Sequence, residues 1–308
     1  MLEPRLPPEL ERLIFKRTAI AHRLSLPNLL LVSRRVHIWL EPLLYKVLQC
    51  RKGAIPDPDT AFRKRELLRN GVRALCIHSD RGGLSESQIF DLLALCTNAT
   101  HFGCGSEVCC GEMLPHLAAM PLERFAGPLH LLFSSFWAIE PKHAFFASIT
   151  HLELLNVLPQ DEGVDEDAEI PVVPTLTHAS FADVDIIPWT YIRRFLEAHP
   201  QLQIFALVWA RNYVRERFDD ASQIFFEISD ERFVMGSYED GNGDHPWKEW
   251  ASAAGADLGQ EDDYWTRGER FLERKRLGQV DDYRLWMDDW MYEDDWTTPE
   301  PVEYPQYD

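Results

Sequence analysis

Apolar residues recur along the middle of the chain in a short motif of constant shape. The stretch Ile149–Asn156 carries it most clearly, with Ile149, Leu152 and Leu154 apolar and Asn156 two positions beyond. The last two apolar positions alternate as one buried face of a strand does. The motif returns as Val72-Leu75-Ile77, Leu176-Ala179-Phe181 and Leu202-Phe205-Leu207. Weaker copies are Ala99-Phe102-Cys104, Leu122-Phe125 and Ile228-Glu231-Phe233. Their middle positions, 75, 102, 125, 152, 179, 205 and 231, are separated by steps of 27, 23, 27, 27, 26 and 26. Seven strands at a period near 26 predict a solenoid.

Helical patterns fill the intervals. Asp59 or Thr60 caps a helix through Asn70, with Gly71 as its stop. Ser85 with Gln88 makes a capping box before Ile89, Leu92, Leu93 and Cys96. Met113, Leu114 and Leu117 predict a shorter helix, and Phe145-Phe146 lie on another after Pro141. Trp189, Ile192, Phe195, Leu196 and His199 share one helical face that Pro200 ends. Strand–helix alternation at this period places parallel strands inside an arc and helices outside. The strand pattern is that of leucine-rich repeats.

Both ends differ from this middle. At the N-terminus, Leu10, Leu13 and Ile14 follow Pro8 at helical spacing. A second run spans Leu26–Val36, and a third holds Trp39, Leu43, Leu44 and Tyr45, broken by Pro42. Gly53, Pro56 and Pro58 mark a linker over 51–59. Near the C-terminus, Trp265, Gly268, Leu272 and Arg276 form a stripe with Phe271 beside it, predicting a helix over 261–277 that Gly278 ends. Such a helix would cap the open edge of the last repeat. Trp286 and Trp290 stand one turn apart, which fits a second amphipathic helix or an acidic–aromatic segment that docks into a partner.

The expected class is therefore α+β to α/β: a three-helix module (1–50), a linker and first helix (51–71), an irregular leucine-rich-repeat-like αβ solenoid with parallel strands (72–237), a C-terminal helical cap (238–296) and a flexible tail (297–308). Charge separates the same regions. Residues 1–81 carry 16 Lys/Arg against 8 Asp/Glu, whereas residues 219–308 carry 8 against 25, within a net charge of −19. An acidic body repels phosphate backbones, so nucleic acid is not the expected partner. No run of 18 apolar residues exists to span a membrane, and the charged N-terminus does not read as a secretion signal. Six irregularly spaced cysteines do not form a disulfide framework, so a reducing cytoplasm or nucleus is expected.

Reactive chemistry is sparse. Cys104, Cys109 and Cys110 with His101 and His116 invite a zinc reading, but the paired halves of a structural zinc site are missing. The carboxylates between Asp161 and Glu169 lack the glycine turn of a calcium loop and read as a solvated insertion. Nothing pairs a histidine with Cys109 for nucleophilic catalysis, and no phosphate loop, G-x-S-x-G or H-E-x-x-H pattern occurs. Catalytic residues, metal ligands and cofactors are therefore expected to be none, and the protein is expected not to be an enzyme. A hydrolase with an unrecognised site ranks last among the alternatives. His101, His151 and His178 each follow a threonine and precede a middle position, which turns them to the side opposite Leu152 and Ala179. They form either a plain polar ladder or a partner surface that weakens as histidines charge near pH 6.

The N-terminal module resembles an F-box, specifically the F-box-like domain of fungal F-box and leucine-rich-repeat proteins. The residues that carry the resemblance are Leu6-Pro7, Glu9-Leu10, Ile14-Phe15, the run Leu29–Arg35 (L-L-L-V-S-R-R), Trp39 and Leu43-Leu44-Tyr45. The segment Thr18–Leu26 departs from the usual pattern, which has a short turn and a leucine there. The resemblance implies a substrate-recognition subunit of a Skp–cullin–F-box ubiquitin ligase, monomeric outside the complex. Leu6, Pro7, Pro8, Leu10, Ile14, Leu29, Leu31 and Val32 would contact a Skp-type adaptor. An unidentified protein target would lie on exposed strand residues such as His151, Glu153, His178, Ser180 and Ala206. The alternative is a repeat-based interaction protein whose F-box-like module only caps the solenoid.

Overall fold

The computed structural model of the chain describes residues 6–22, 25–54, 57–135, 138–155, 170–184, 189–211, 214, 228–238 and 263–289. The acidic stretch 160–169, Trp290 and the tail from 297 lie outside them. The fold is α/β. Three helices open it: α1 (Pro8–Ala21), α2 (Leu26–Leu30) and α3 (Arg34–Leu44). Pro8 occupies the first turn of α1, where no N–H is required. The Ser33 hydroxyl accepts from the Val36 N–H and caps α3. Pro42 does not break this helix as its sequence suggests. It sits close enough to the end that only the bond to Ile38 is lost, and the Tyr45 N–H closes a tight last turn on the Pro42 carbonyl at 3.3 Å.

One eight-stranded sheet forms the body, every pair parallel and the strands in chain order. The strands are β1 (Val47–Cys50), β2 (Ala74–Ile77), β3 (His101–Cys104), β4 (Arg124–Gly127), β5 (His151–Leu155), β6 (His178–Ala182), β7 (Ile204–Ala210) and β8 (Phe233–Tyr238). The row Leu48, Leu75, Phe102, Phe125, Leu152, Ala179, Phe205, Phe233 runs straight across it, residue opposite residue. Two expectations are corrected here. An eighth strand, β1, lies within the stretch assigned to the helical module. The last copy is centred on Phe233, two residues beyond Glu231, because Phe233 rather than Glu231 pairs with Phe205.

The crossovers carry short helices: α4 (Pro58–Phe62), α5 (Arg65–Gly71), α6 (Glu86–Leu95), α7 (Leu114–Ala118), α8 (Leu129–Leu132) and α9 (Trp189–Ala198). The single helix expected over 60–70 is thus two. The Ser85–Gln88 capping box forms with both reciprocal bonds. These helices cover one sheet face and enclose the main core, where Phe102, Phe125, Phe181, Phe205 and Phe233 are buried. Each buried Leu or Phe contributes roughly 1.5–3 kcal/mol, so neighbouring strands stabilise one another through shared rings. Phe181 and Phe205, for example, meet edge to face at 5.1 Å.

The last helix, α10 (Tyr264–Arg276), lies on the opposite face and not at the edge it was expected to cap. The edge of β8 is instead paired by the segment after α10. Met235 donates to the Leu285 carbonyl at 2.8 Å, and Met287 donates to the Met235 carbonyl at 2.9 Å. Trp286 therefore sits in an extended bridge, packed 5.9 Å from Trp209, and not on a second helix. Pairing satisfies backbone groups that an open edge would leave bare.

Candidate functional site

Two surfaces were expected to meet partners, and they differ in accessibility. Among the described residues, the N-terminal helices have a small core of Ala19, Leu26, Val36 and Leu40, with Phe15, Leu29, Leu30, Trp39, Leu43 and Leu44 packed partly against it. The apolar residues left outside are many for so small a unit. Leu6, Leu10, Ile14, Leu31 and Val32 are between 44% and 83% exposed, and Leu13 and Ile38 join them. Leu6, Leu10, Leu13 and Ile14 fall at helical spacing, so one side of α1 and its lead-in is apolar and bare. Pro7 and Pro8 are exposed as well. Of the residues expected to bind an adaptor, only Leu29 turns inward. Single exposed leucines are ordinary, whereas a group on one small module marks an interaction surface. Arg35 reaches back to Glu11 at 2.6 Å and ties α3 to α1 beside this surface.

The strand face is closed. Alternation does turn His151, Glu153, His178, Ser180 and Ala206 away from the main core, as the sequence implies. They are nevertheless covered, because α10 lies over them: Glu153, Ser180 and Ala206 are fully buried, His178 nearly so and His151 partly. Small side chains at Ala182, Ala206 and Ala210 allow close approach. A side-chain carbon on Gly268 would collide with Ile204 Cδ1, so the helix touches the sheet there through its backbone.

Polar hooks fix α10 to successive strands. The Asp263 carboxylate accepts from the Thr266 N–H at 2.8 Å as N-cap and pairs with Arg124 at 2.6 Å. The Tyr264 hydroxyl donates to Glu153 Oε2 at 2.5 Å and meets Ser180 Oγ at 3.0 Å. Burial, followed by the charge of Glu153, pushes the Tyr264 phenol well above its ordinary range, so it remains a donor. Glu269 faces His178 Nε2 at 3.0 Å.

His101, Arg124, His151 and His178 stand in one row across β3 to β6. Thr100, Thr150 and Thr177 hold the three Nδ1 atoms at 2.8–2.9 Å. The His151 and His178 rings stack at 4.0 Å, and Trp265 stands edge-on to both at 5.6 and 5.5 Å. Burial is the main cause that lowers all three histidines. His101 is pushed down to about 3, His151 lower still, and at His178 Glu269 partly opposes the shift. The expected row of histidines is therefore present but not exposed: α10 covers it, and burial disfavours the charged form of each ring, against a partner surface that charges near pH 6.

The cysteine group does not assemble a metal centre. His101 and Cys104 point to opposite faces of β3, while His116 stacks on Phe90 at 6.0 Å. Among the described residues, no group of three or more His, Cys, Asp or Glu is placed to hold a metal ion. Cys104 is raised by its hydrogen bond with Cys109 and by burial, and Cys50, Cys76 and Cys96 by burial, so these thiols are poor nucleophiles. Among the described residues, no helix is long and apolar enough to cross a membrane. No protein-family model matches the chain, and no curated protein matches it significantly.

Proposed function

We propose that the chain is a non-enzymatic interaction protein of the F-box-like and leucine-rich-repeat type, in which α1 to α3 recruit a Skp-type adaptor and the repeat body serves target capture. The observation that supports this reading is the bare apolar side of the N-terminal helices. Burying five side chains such as Leu6, Leu10, Ile14, Leu31 and Val32 against a partner is worth several kcal/mol, from roughly 1.5–3 kcal/mol for each full burial. The surrounding module is basic, with 8 Lys/Arg against 4 Asp/Glu over residues 1–50, which favours a partner with an acidic rim around an apolar groove. Such a subunit needs no reactive group. It acts by raising the concentration of its target beside a ligase. While α10 is in place, the target must be met elsewhere than on His151, Glu153, His178, Ser180 and Ala206.

Capture on an immobilised Skp-type adaptor tests the proposal. The full chain is expected to be retained, and the Leu6→Ala/Pro7→Ala variant is expected to be lost. A wild-type chain that is not retained would defeat the ligase reading. A second reading then stands, in which the module only caps the sheet. It is favoured by the direct run from α3 into β1 and by burial of Tyr45 in the main core.

A further inference from the structure

The apolar side of the N-terminal helices has cations along its border. On α1 the exposed Arg17 stands one turn beyond Leu13 and Ile14, and on α3 the exposed Arg34 stands one turn before Ile38. Nearby carboxylates are partly spent: Glu11 pairs with Arg35 at 2.6 Å and Glu41 with Lys64 at 3.2 Å. Glu9, exposed at the start of α1, is the acidic exception. The patch of Leu10, Leu13, Ile14, Leu31, Val32 and Ile38 is therefore apolar with a mainly positive edge.

A ligand for such a patch combines large apolar side chains with carboxylates. The chain itself contains a segment of that kind. Residues 290–308, outside the described residues, hold five Trp or Tyr with six Asp/Glu and no Lys/Arg. The acidic stretch 160–169 has no aromatic residue to fill the patch.

Reach decides which part of 290–308 can serve. The segment begins just after Met287 pairs with β8, while α3 runs into β1 at the opposite edge of the sheet. Seven strand intervals at about 4.8 Å put about 34 Å between those edges. An extended chain covers at most about 3.3–3.6 Å per residue, so residues 290–299 are needed to cross. Trp290, Tyr292 and Trp296 stop short, and Val302, Tyr304 and Tyr307 arrive, accompanied by Glu300, Glu303 and Asp308. Pro299, Pro301 and Pro305 favour the extended backbone that such a span requires. The tether holds the segment at an effective concentration of roughly millimolar, so a weak contact suffices. Two copies of a chain with net charge −19 repel each other, which favours contact within one chain.

We propose that residues 300–308 dock on the apolar patch of α1 to α3 in the same chain, as an occupant that a recruited partner has to displace. The contact rests on the shape and charge of the patch, and it stands whether or not that partner is a Skp-type adaptor.

The full chain with the photo-crosslinker p-benzoylphenylalanine in place of Tyr304 tests this, with no adaptor present. Irradiation and peptide mass spectrometry are expected to give adducts within residues 6–40. In an equal mixture of unlabelled and isotope-labelled chains, the adducts are expected to join peptides of like label. Raising the salt from about 0.05 M to about 0.5 M is expected to lower their yield at least about threefold, and so is Arg17→Glu/Arg34→Glu. The proposal is overturned by adducts that are absent or lie only elsewhere in the chain, by adducts that join unlike labels, or by a yield that ignores salt and charge reversal. Should the charge-reversed chain fail to fold, the salt series decides alone. Adducts at 6–40 from a chain that an immobilised adaptor does not retain would uphold this contact and defeat only the ligase reading.

Discussion

Tyr264→Phe isolates a single hydroxyl in the seam between α10 and the sheet. The aromatic ring and its contact with Trp265, centroid to centroid 4.5 Å, survive the change. What disappears is the donor at 2.5 Å to Glu153 Oε2 and the 3.0 Å contact with Ser180 Oγ. Both partners are buried, so water cannot replace the lost bond. Leaving a buried polar group without its partner costs roughly 1–3 kcal/mol, more when the group is charged, and two groups are affected. The expected loss is about 2–5 kcal/mol, read as a lower midpoint in urea at unchanged slope. Ser180→Ala alone should cost about 1 kcal/mol. In the double variant one orphaned partner is absent, so the two effects should couple by at least about 0.5 kcal/mol. A Tyr264→Phe chain within about 0.5 kcal/mol of wild type would refute the reasoning, since the seam would then be wet or open.

Other parts of the structure give equally definite expectations. Arg124→Met takes the charged partner at 2.6 Å from the buried Asp263 carboxylate and leaves it only the bonds from Thr266, which should cost up to about 3–5 kcal/mol in the same urea experiment, with a value below about 1 kcal/mol contradicting a closed seam. Gly82 adopts φ +61, and a side-chain carbon there would lie 2.7 Å from Pro58 Cγ and 3.0 Å from the Arg51 nitrogen. Gly82→Ala should therefore destabilise by more than about 1 kcal/mol, because the chain of β1 has to move. Leu10→Glu/Ile14→Glu should leave the urea midpoint almost unchanged while abolishing adaptor capture; a large loss of stability would show those side chains to be core. His101 is held neutral when folded down to about 3, whereas an unfolded histidine takes its proton near 6.5. Its contribution is complete above pH 6.5 and is lost as the pH falls toward 3, at up to about 1.4 kcal/mol per unit. A unfolding free energy that rises between pH 6.5 and 4.5 would contradict this sign.

Much of the body was legible because its signal is periodic. Six strand centres from 75 to 205 lie opposite one another at the positions that the apolar motif marks. The same signal was available for β1: Tyr45, Leu48 and Cys50 repeat the motif 27 residues before Val72, Leu75 and Ile77. A helical pattern overlaps it there, because Leu43, Leu44 and Tyr45 also suit a helix end. At β8 the shift to Phe233 follows from burial, since a ring opposite Phe205 extends the core and Glu231 would not.

The site was less legible. Alternation shows which way a strand residue points but not what covers it, and the cover comes from more than a hundred residues away, as in the Tyr264–Glu153 bond. One local hint existed. Ala182, Ala206, Val208 and Ala210 are more apolar than a solvated strand face requires, and the stripe on α10 needed a surface of that kind. The bare N-terminal leucines were legible only through the resemblance, because their pattern alone reads as the buried side of a helix.

The reading rests on the N-terminal helices, and not the strand face, being the surface offered to a recruiting partner. Hydrogen exchange of the full chain at pH 7.5, with and without saturating Skp-type adaptor, addresses that directly. New protection is expected within residues 6–40 and none on β5 to β7. Protection confined to β5–β7, or no change anywhere at saturation, would contradict it.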